Sequence, residues 1–232
     1  QLTKRTSSNS NAQKNPTSQQ DLSTDNKTVS PQGGDGRGAS VIEYSCSGTP
    51  VDCLKLAANR VLHRNPDLCV SGINHGSNSS INVIYSGTMS AALEGAIEGI
   101  PSIGFSLCNK SIDADFSVAK KYVKAIVENA LKHGIPQGIC LNVNIPDVRE
   151  EDIKGIKVCR QANAKWEEDY KERTDANGKK EYWLTGVFKN YDAGDDTDEW
   201  ALANNYVSIV PIHIDFTAHH AMSYLNKWKY DV

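Results

Sequence analysis

The sequence predicts an α/β protein: a mostly parallel sheet flanked by helices, followed by a smaller β-rich appendage. Three observations predict it. Between residues 49 and 146, apolar residues at helical spacing alternate with short apolar runs. The joining segments are short and carry Gly, Pro, Asn or Asp, so successive strands are linked by helices and run parallel. Beyond residue 155 the helical spacing gives way to strand signals and an Asn-Gly turn.

Residues 1–40 stand apart. Leu2, Leu22 and Val29 are their only large aliphatic side chains, and they hold no aromatic residue. Such a segment buries too little apolar surface to offset the entropy of ordering it, so a disordered, solvated tail is expected. Over residues 49–63, Thr49 is a natural N-cap, Pro50 fits the first helical position, and Asp52 favours the positive end of the helix. Leu54, Ala57, Ala58, Val61 and Leu62 give that helix one apolar face. Asn65-Pro66-Asp67 then breaks the pattern before a short buried strand, Leu68-Cys69-Val70.

Ser86 is placed to cap a second helix that runs to Ile97 and stops at Gly99. A strand follows over 100–107. A third helix spans 115–132, with Phe116, Ala119, Tyr122, Val123, Ile126, Val127, Ala130 and Leu131 on one face and Gly134 at its end. Residues 139–145 alternate as a strand that Pro146 stops. In the appendage, 156–160 and 181–188 read as strands with the turn Asn177-Gly178 between them, 207–210 as a further strand, and 222–228 as a closing helix.

A net charge of −3 excludes any global attraction for a nucleic-acid polymer or an anionic membrane. No apolar run approaches the roughly 18 residues of a membrane span. The chain starts at Gln1 without the apolar stretch of a secretory signal, so a cytoplasmic location is expected. The six cysteines form no C-x-x-C pair and most sit in apolar runs, which predicts buried, reduced thiols. Asp113 and Asp115 suit a helix start. The acidic run Asp192, Asp195, Asp196 and Asp198 reads as a solvated loop, and His213, His219 and His220 as structural. Trp166, Trp183, Trp200 and Trp228 suit burial in a subunit contact rather than base stacking.

The chemistry concentrates in residues 71–95, SGINHGSNSSINVIYSGTMSAALEG, which start after a buried strand and end inside a helix. Ligands of open α/β sheets bind at the carboxyl ends of strands. Asn74, just beyond the strand end, offers an amide oxygen suited to a hard cation such as magnesium or manganese. Ser86, Gly87 and Thr88 open a helix whose free amides and dipole attract phosphate. His75 adjoins Asn74 and is a candidate to contact phosphate or protonate a leaving group. Composition alone favours the alternative, an ordinary loop with a serine cap.

Six blocks, in order, resemble the SurE family: GTPVDC (48–53), SGINHGSN (71–78), YSGTMSAALEG (85–95), LNVNIP (141–146), KGIKVCRQA (154–162) and YVSIVPIHIDFTA (206–218). The likeness covers residues 41–230. It implies a truncated Rossmann-like core over 41–150. Over 151–232 it implies a β-rich extension, with a C-terminal arm exchanged between subunits of a homodimer or homotetramer. The implied activity is hydrolysis of nucleoside 5′- and 3′-monophosphates, dependent on Mg2+ or Mn2+. In that resemblance Asn74 matches a metal ligand, and Ser86, Gly87 and Thr88 match the phosphate site.

The family pattern also has a hydrophobic strand followed by N-D-D-G, whose aspartates hold the metal, and a later S-G-x-S loop. Neither is recognisable here: Gly33-Gly34-Asp35-Gly36 has one carboxylate, and Ser40 is no better a match for the serine ligand. The catalytic residues therefore stay unassigned. Two outcomes remain open, an enzyme or a non-catalytic, oligomeric phosphate-binding module without the aspartate pair.

Overall fold

The computed structural model describes residues 22–23 and 41–230, and the expected disorder of residues 1–40 otherwise falls outside them. The chain divides into two compact units, Gln1–Gly48 and Thr49–Val232. In the first, β1 (Leu22–Ser23) pairs antiparallel with β2 (Ser45–Cys46).

The second unit begins with α1 (Pro50–Leu56), which continues as a π-helical turn over Ala57–Val61. Its start follows the expected chemistry. Thr49 Oγ1 accepts from the Asp52 amide, and Asp52 in turn accepts from the Thr49 amide at 2.9 Å, closing a capping box. Next come β3 (Cys69–His75), a 3-10 helix (Ser80–Tyr85), α2 (Gly87–Ile97), β4 (Ser102–Leu107), α3 (Ser117–His133) and β5 (Ile139–Ile145). β3, β4 and β5 are parallel neighbours, as the alternation of strand and helix requires. β3 is longer than the apolar triplet that signals it, because its second half carries Ser, Gly and Asn.

Side-chain alternation divides this sheet into two unlike faces. Ile103, Phe105 and Leu107 of β4, with Val143 and Ile145 of β5, form one buried apolar face covered by Ala119 and Ile126 of α3. Burying each large side chain there contributes about 1.5–3 kcal/mol. The intervening residues of β4 and β5 are Ser102, Gly104, Ser106, Cys140, Asn142 and Asn144, all small or polar. This second face receives α2. A Cβ on Gly104 would sit 2.4 Å from Met89 Sδ, so glycine there leaves room for the Met89 side chain between helix and strand. Leu131, expected on the buried side of α3, is instead 55% exposed at its last turn.

The C-terminal part differs from the expected appendage. β6 (Gly155–Val158) and β9 (Tyr206–His213) join the main sheet, whose order is β3-β4-β5-β9-β6. β9 runs antiparallel to β5 and parallel to β6. The strand at 181–188 does not pair with 156–160. It lies within β8 (Lys180–Asn190), which forms an antiparallel hairpin with β7 (Ala164–Thr174) around the Asn177-Gly178 turn. β7 reads AKWEEDYKERT and is exposed almost throughout, so no hydrophobic periodicity announces it. The acidic run is not all solvated loop, since Asp198 opens α4 (Asp198–Ala203) and is fully buried. α5 (His219–Leu225) is the last element of the described residues. Of the six cysteines, expected to be buried, Cys140 and Cys159 are, whereas Cys46, Cys53, Cys69 and Cys108 are half-buried.

Candidate functional site

The carboxyl ends of β3, β4 and β5 meet the loop that leads from β3 to α2, and the singled-out residues lie along this edge. Asn74 sits inside β3 rather than beyond it, in register with Ser106 after a register shift that begins at Ser71. Gly72 makes the shift feasible: its φ is +112°, and a Cβ there would lie 2.4 Å from the Phe105 carbonyl oxygen. The pairing sets Asn74 on the polar face with Ser106. Asn74 Nδ2 donates to the Gly76 carbonyl at 2.8 Å, which leaves Oδ1 as its acceptor for a ligand.

His75, one residue on, falls on the opposite face. Its ring packs edge-on against Phe116, with centroids 4.8 Å apart, on the side that carries α3. The structure therefore does not bring His75 together with the start of α2. No hydrogen bond among the described residues ties Asn74 directly to Ser86, Gly87 or Thr88; the loop between them sets their relation.

At the start of α2, Ser86 Oγ accepts from the Met89 amide at 3.1 Å, and the Ser86 carbonyl accepts from the Ser90 amide at 2.9 Å. Gly87 and Thr88 occupy the first two helical positions, whose N–H groups have no partner within a helix. Gly87 is exposed and Ser86 is 8% exposed, so the cap is buried while the helix terminus faces outward. The unpaired amides and the helix dipole make this terminus suitable for an anion.

Sequence reasoning missed the polar lattice that holds the loop. Asn78 Nδ2 donates to Ser106 Oγ at 2.7 Å, and the Asn78 amide donates to Asn144 Oδ1 at 2.7 Å. Asn142 Nδ2 donates to the Asn78 carbonyl at 2.8 Å, and Asn144 Nδ2 to Asn142 Oδ1 at 3.1 Å. The two asparagines of LNVNIP thus anchor the loop to β5. The sequence-level signal was available: alternate asparagines in an otherwise apolar strand share one face and need partners once buried.

Two carboxylates missed by sequence reasoning complete the lattice. Asp198 accepts from the amides of Ser80 (2.7 Å), Ala162 (2.9 Å) and Glu199 (2.9 Å). Burial nevertheless pushes its carboxyl above the ordinary range, with these donors opposing the shift. Glu199 Oε1 accepts from Ser79 Oγ, and Ser79 Oγ pairs with Ser77 Oγ at 2.6 Å. The Glu199 carboxyl is also raised, chiefly by burial, with the Ser79 hydrogen bond opposing and the Asp198 charge adding to the shift. Asp192 and Asp196 instead clamp Arg160, and its guanidinium holds Asp192 well below the usual carboxylate range.

Beyond the ends of β3 and β4 lies a pocket of about 390 Å³ that includes Ser77, Ser79, Cys108, Lys110, Trp166 and Glu199 in its lining. A second, of about 530 Å³, lies between the 3-10 helix and the hairpin, with Asn82, Tyr85, Trp166 and Leu184 among its walls. Burial pushes the Cys108 thiol up to about 12, so it is an inert wall rather than a nucleophile. Among the described residues no group of three or more His, Cys, Asp or Glu could hold a metal ion. Asn74 Oδ1 fits a hard cation as one donor, but a single neutral oxygen is not a cation site. Asp35 and Ser40 lie outside the described residues.

The family model described as Survival protein SurE matches residues 5–168 and so reaches into the segment set aside as a tail. A protein of Christiangramia forsetii named 5′-nucleotidase SurE is 63% identical over 187 residues, covering 81% of this chain and 72% of that protein. One of the same name from Flavobacterium psychrophilum is 62% identical over 190 residues, covering 82% of this chain and 74% of the other. The crystal structure of the SurE protein from Aquifex aeolicus superposes with a TM-score of 0.69 at 42% identity, over 79% of this chain and 76% of that one. With this fold, this strand-end edge and these matches, the chain belongs to the SurE family.

Proposed function

We propose that this protein is a phosphomonoesterase acting on nucleoside 5′- and 3′-monophosphates and requiring a divalent cation, Mg2+ or Mn2+. Water is added across the phosphoester P–O bond, releasing nucleoside and inorganic phosphate. The observation that carries this reading is the exposed start of α2, where the Gly87 and Thr88 amides have no helical partner and Ser86 is held as a buried cap. The names of the relatives, 5′-nucleotidase SurE, support the 5′-nucleotidase part of this reading.

In this reading the substrate phosphate accepts from the Gly87 and Thr88 amides and the Thr88 hydroxyl. The Ser86 cap bond to Met89 keeps that turn from fraying, and the Asn78–Asn142–Asn144 lattice fixes the loop before it. Asn74 Oδ1 contributes one donor to the cation; the carboxylates it also needs are not among the described residues around Asn74. When bound, such a cation neutralises charge on the phosphoryl oxygens.

The assay is phosphate release from nucleoside monophosphates with and without Mg2+ or Mn2+. Release should be abolished by a chelator and lowered about tenfold or more by Asn74→Ala, the scale on which perturbing a metal site weakens it. No release from a folded sample at any metal concentration would reject the enzyme. The lack of a described carboxylate cluster favours one alternative, a non-catalytic phosphate-binding module. That reading predicts nucleotide binding that a chelator leaves unchanged.

A homodimer or homotetramer is part of the same proposal. Phe216, Met222, Tyr224, Trp228 and Tyr230 near the C-terminus are all more than half exposed, as are Tyr182, Trp183 and Leu184 on the hairpin. Apolar surface clustered in this way is covered by a partner chain in stable assemblies.

A further inference from the structure

We infer that the 390 Å³ pocket beyond β3 and β4 is a nucleobase subsite that selects guanine through the Glu199 carboxylate. The inference rests on the nucleotidase reading and extends it to the base. The pocket lies at the strand ends that carry Asn74, and Ser77 and Ser79 belong to the loop that ends at Ser86. Base and phosphate subsites thus share one loop.

The walls suit a flat heteroaromatic ring. Trp166 and Phe188 meet at 62° with centroids 5.6 Å apart, both lining the pocket. Two residues of the same lining hold the Trp166 indole: its Nε1 donates to Asn82 Oδ1 at 3.1 Å, and Lys110 Nζ lies over the ring, 5.3 Å from its centroid. A fixed indole stacks on any base and so supplies affinity without discrimination. The hairpin strand β7 delivers Trp166 here, so this tryptophan lines the site rather than serving only as a subunit contact.

Discrimination falls to Glu199, the carboxylate in the lining. It is partly buried, no ion pair neutralises it among the described residues, and one hydroxyl, Ser79 Oγ, donates to it. A buried carboxylate with so few donors gains most from a ligand that brings two. An ionised carboxylate only accepts hydrogen bonds. The guanine edge presents N1–H and the 2-amino group side by side, matching both oxygens. Adenine and cytosine each set a ring-nitrogen lone pair beside their amino group, and uracil flanks its single N–H with two carbonyls, so each would bring acceptors against the carboxylate. Asp198, the neighbouring acid, does not compete, because its oxygens already accept from three backbone amides.

The test is calorimetric titration of the full chain with guanosine, inosine and adenosine, alongside phosphate release from GMP, AMP and base-free p-nitrophenyl phosphate. Guanosine should bind roughly tenfold more tightly than adenosine, with inosine between, the scale of one well-placed bidentate pair. Glu199→Gln should erase most of that ratio, and Trp166→Ala should weaken all three nucleosides together. Equal affinity for the three, with phosphate still released from GMP and AMP, would overturn the base subsite and leave the phosphatase standing. Tight guanosine binding by a chain that releases phosphate from no substrate would support the subsite and reject the phosphatase. Guanosine binding lost in Tyr85→Ala but kept in Glu199→Gln would move the base to the neighbouring 530 Å³ pocket and refute the assignment.

Discussion

Replacing Asp198 with alanine should destabilise the fold more than any surface change nearby. Its carboxylate accepts from the Ser80, Ala162 and Glu199 amides at 2.7–2.9 Å, and both Ser80 and Ala162 are buried. A buried donor left without an acceptor costs about 1–3 kcal/mol. The Glu199 amide sits at the first turn of α4 and water can reach it, so two donors dominate. Losing the carboxylate also removes its own burial penalty, which raises its pKa in the folded state. The net cost should be about 3 kcal/mol, a large share of the ~5–15 kcal/mol that stabilises a domain. In urea, with a slope near ~2 kcal/mol/M, that lowers the unfolding midpoint by about 1.5 M. Asp196→Ala is the control: its carboxylate is 62% exposed in an ion pair with Arg160, a class worth about 0–1 kcal/mol. An Asp198→Ala midpoint shift below about 0.5 M, or no larger than that of the control, would refute the assignment of Asp198 as the clamp on Ser80 and Ala162.

Two further outcomes follow from the same edge of the sheet. Burial raises the Glu199 carboxyl above its ordinary value of 4.5, so the folded chain binds this proton more readily than the unfolded chain and ionising the group costs stability as pH rises through that window. Glu199→Gln should therefore melt higher than the parent at neutral pH, with the gap closing on acidification below pH 4; thermal melts across pH that show no such convergence would contradict it. Ser86→Ala removes the cap bond to Met89 and should cost about 1 kcal/mol, a fall of about 2–4 °C in Tm by circular dichroism, together with weaker binding of inorganic phosphate.

How much of this was legible depended on which force placed each residue. Helix starts governed by local chemistry were readable: Thr49, Asp52 and Ser86 act as caps because their partners lie three residues away. Parallel strands β4 and β5 were readable from their apolar residues and flanking breakers. β7 was not, because nearly all of its residues face solvent and its stability comes from register with β8 across the Asn177-Gly178 turn. β9 was seen as a strand but not as a member of the main sheet, since the sheet edge it joins is set by contacts far apart in sequence.

The site shows the same division. Residues 86–88 and Asn74 could be singled out from their place after a strand and before a helix. Asp198 and Glu199 could not, because a run of acids in a polar segment carries no mark of burial. Only the fold brings Ser79 and Ser80 to them, across 120 and 118 positions of chain. His75 shows what adjacency in sequence leaves out: neighbours along a strand point to opposite faces, and its ring packs against Phe116.

The insertion of β9 between β5 and β6 has a consequence for how the chain assembles as it is made. β5 ends at Ile145, but the strand that covers its free edge begins at Tyr206, so on the ribosome that edge waits while the whole hairpin is synthesised. Until then the nascent sheet offers an unpaired apolar strand, the kind of surface that chaperones shield and that stray strands join. The β7–β8 hairpin pairs residues close in sequence, whereas the central sheet is complete only once β9 has been made, so truncation after residue 205 should leave the β5 edge unpaired.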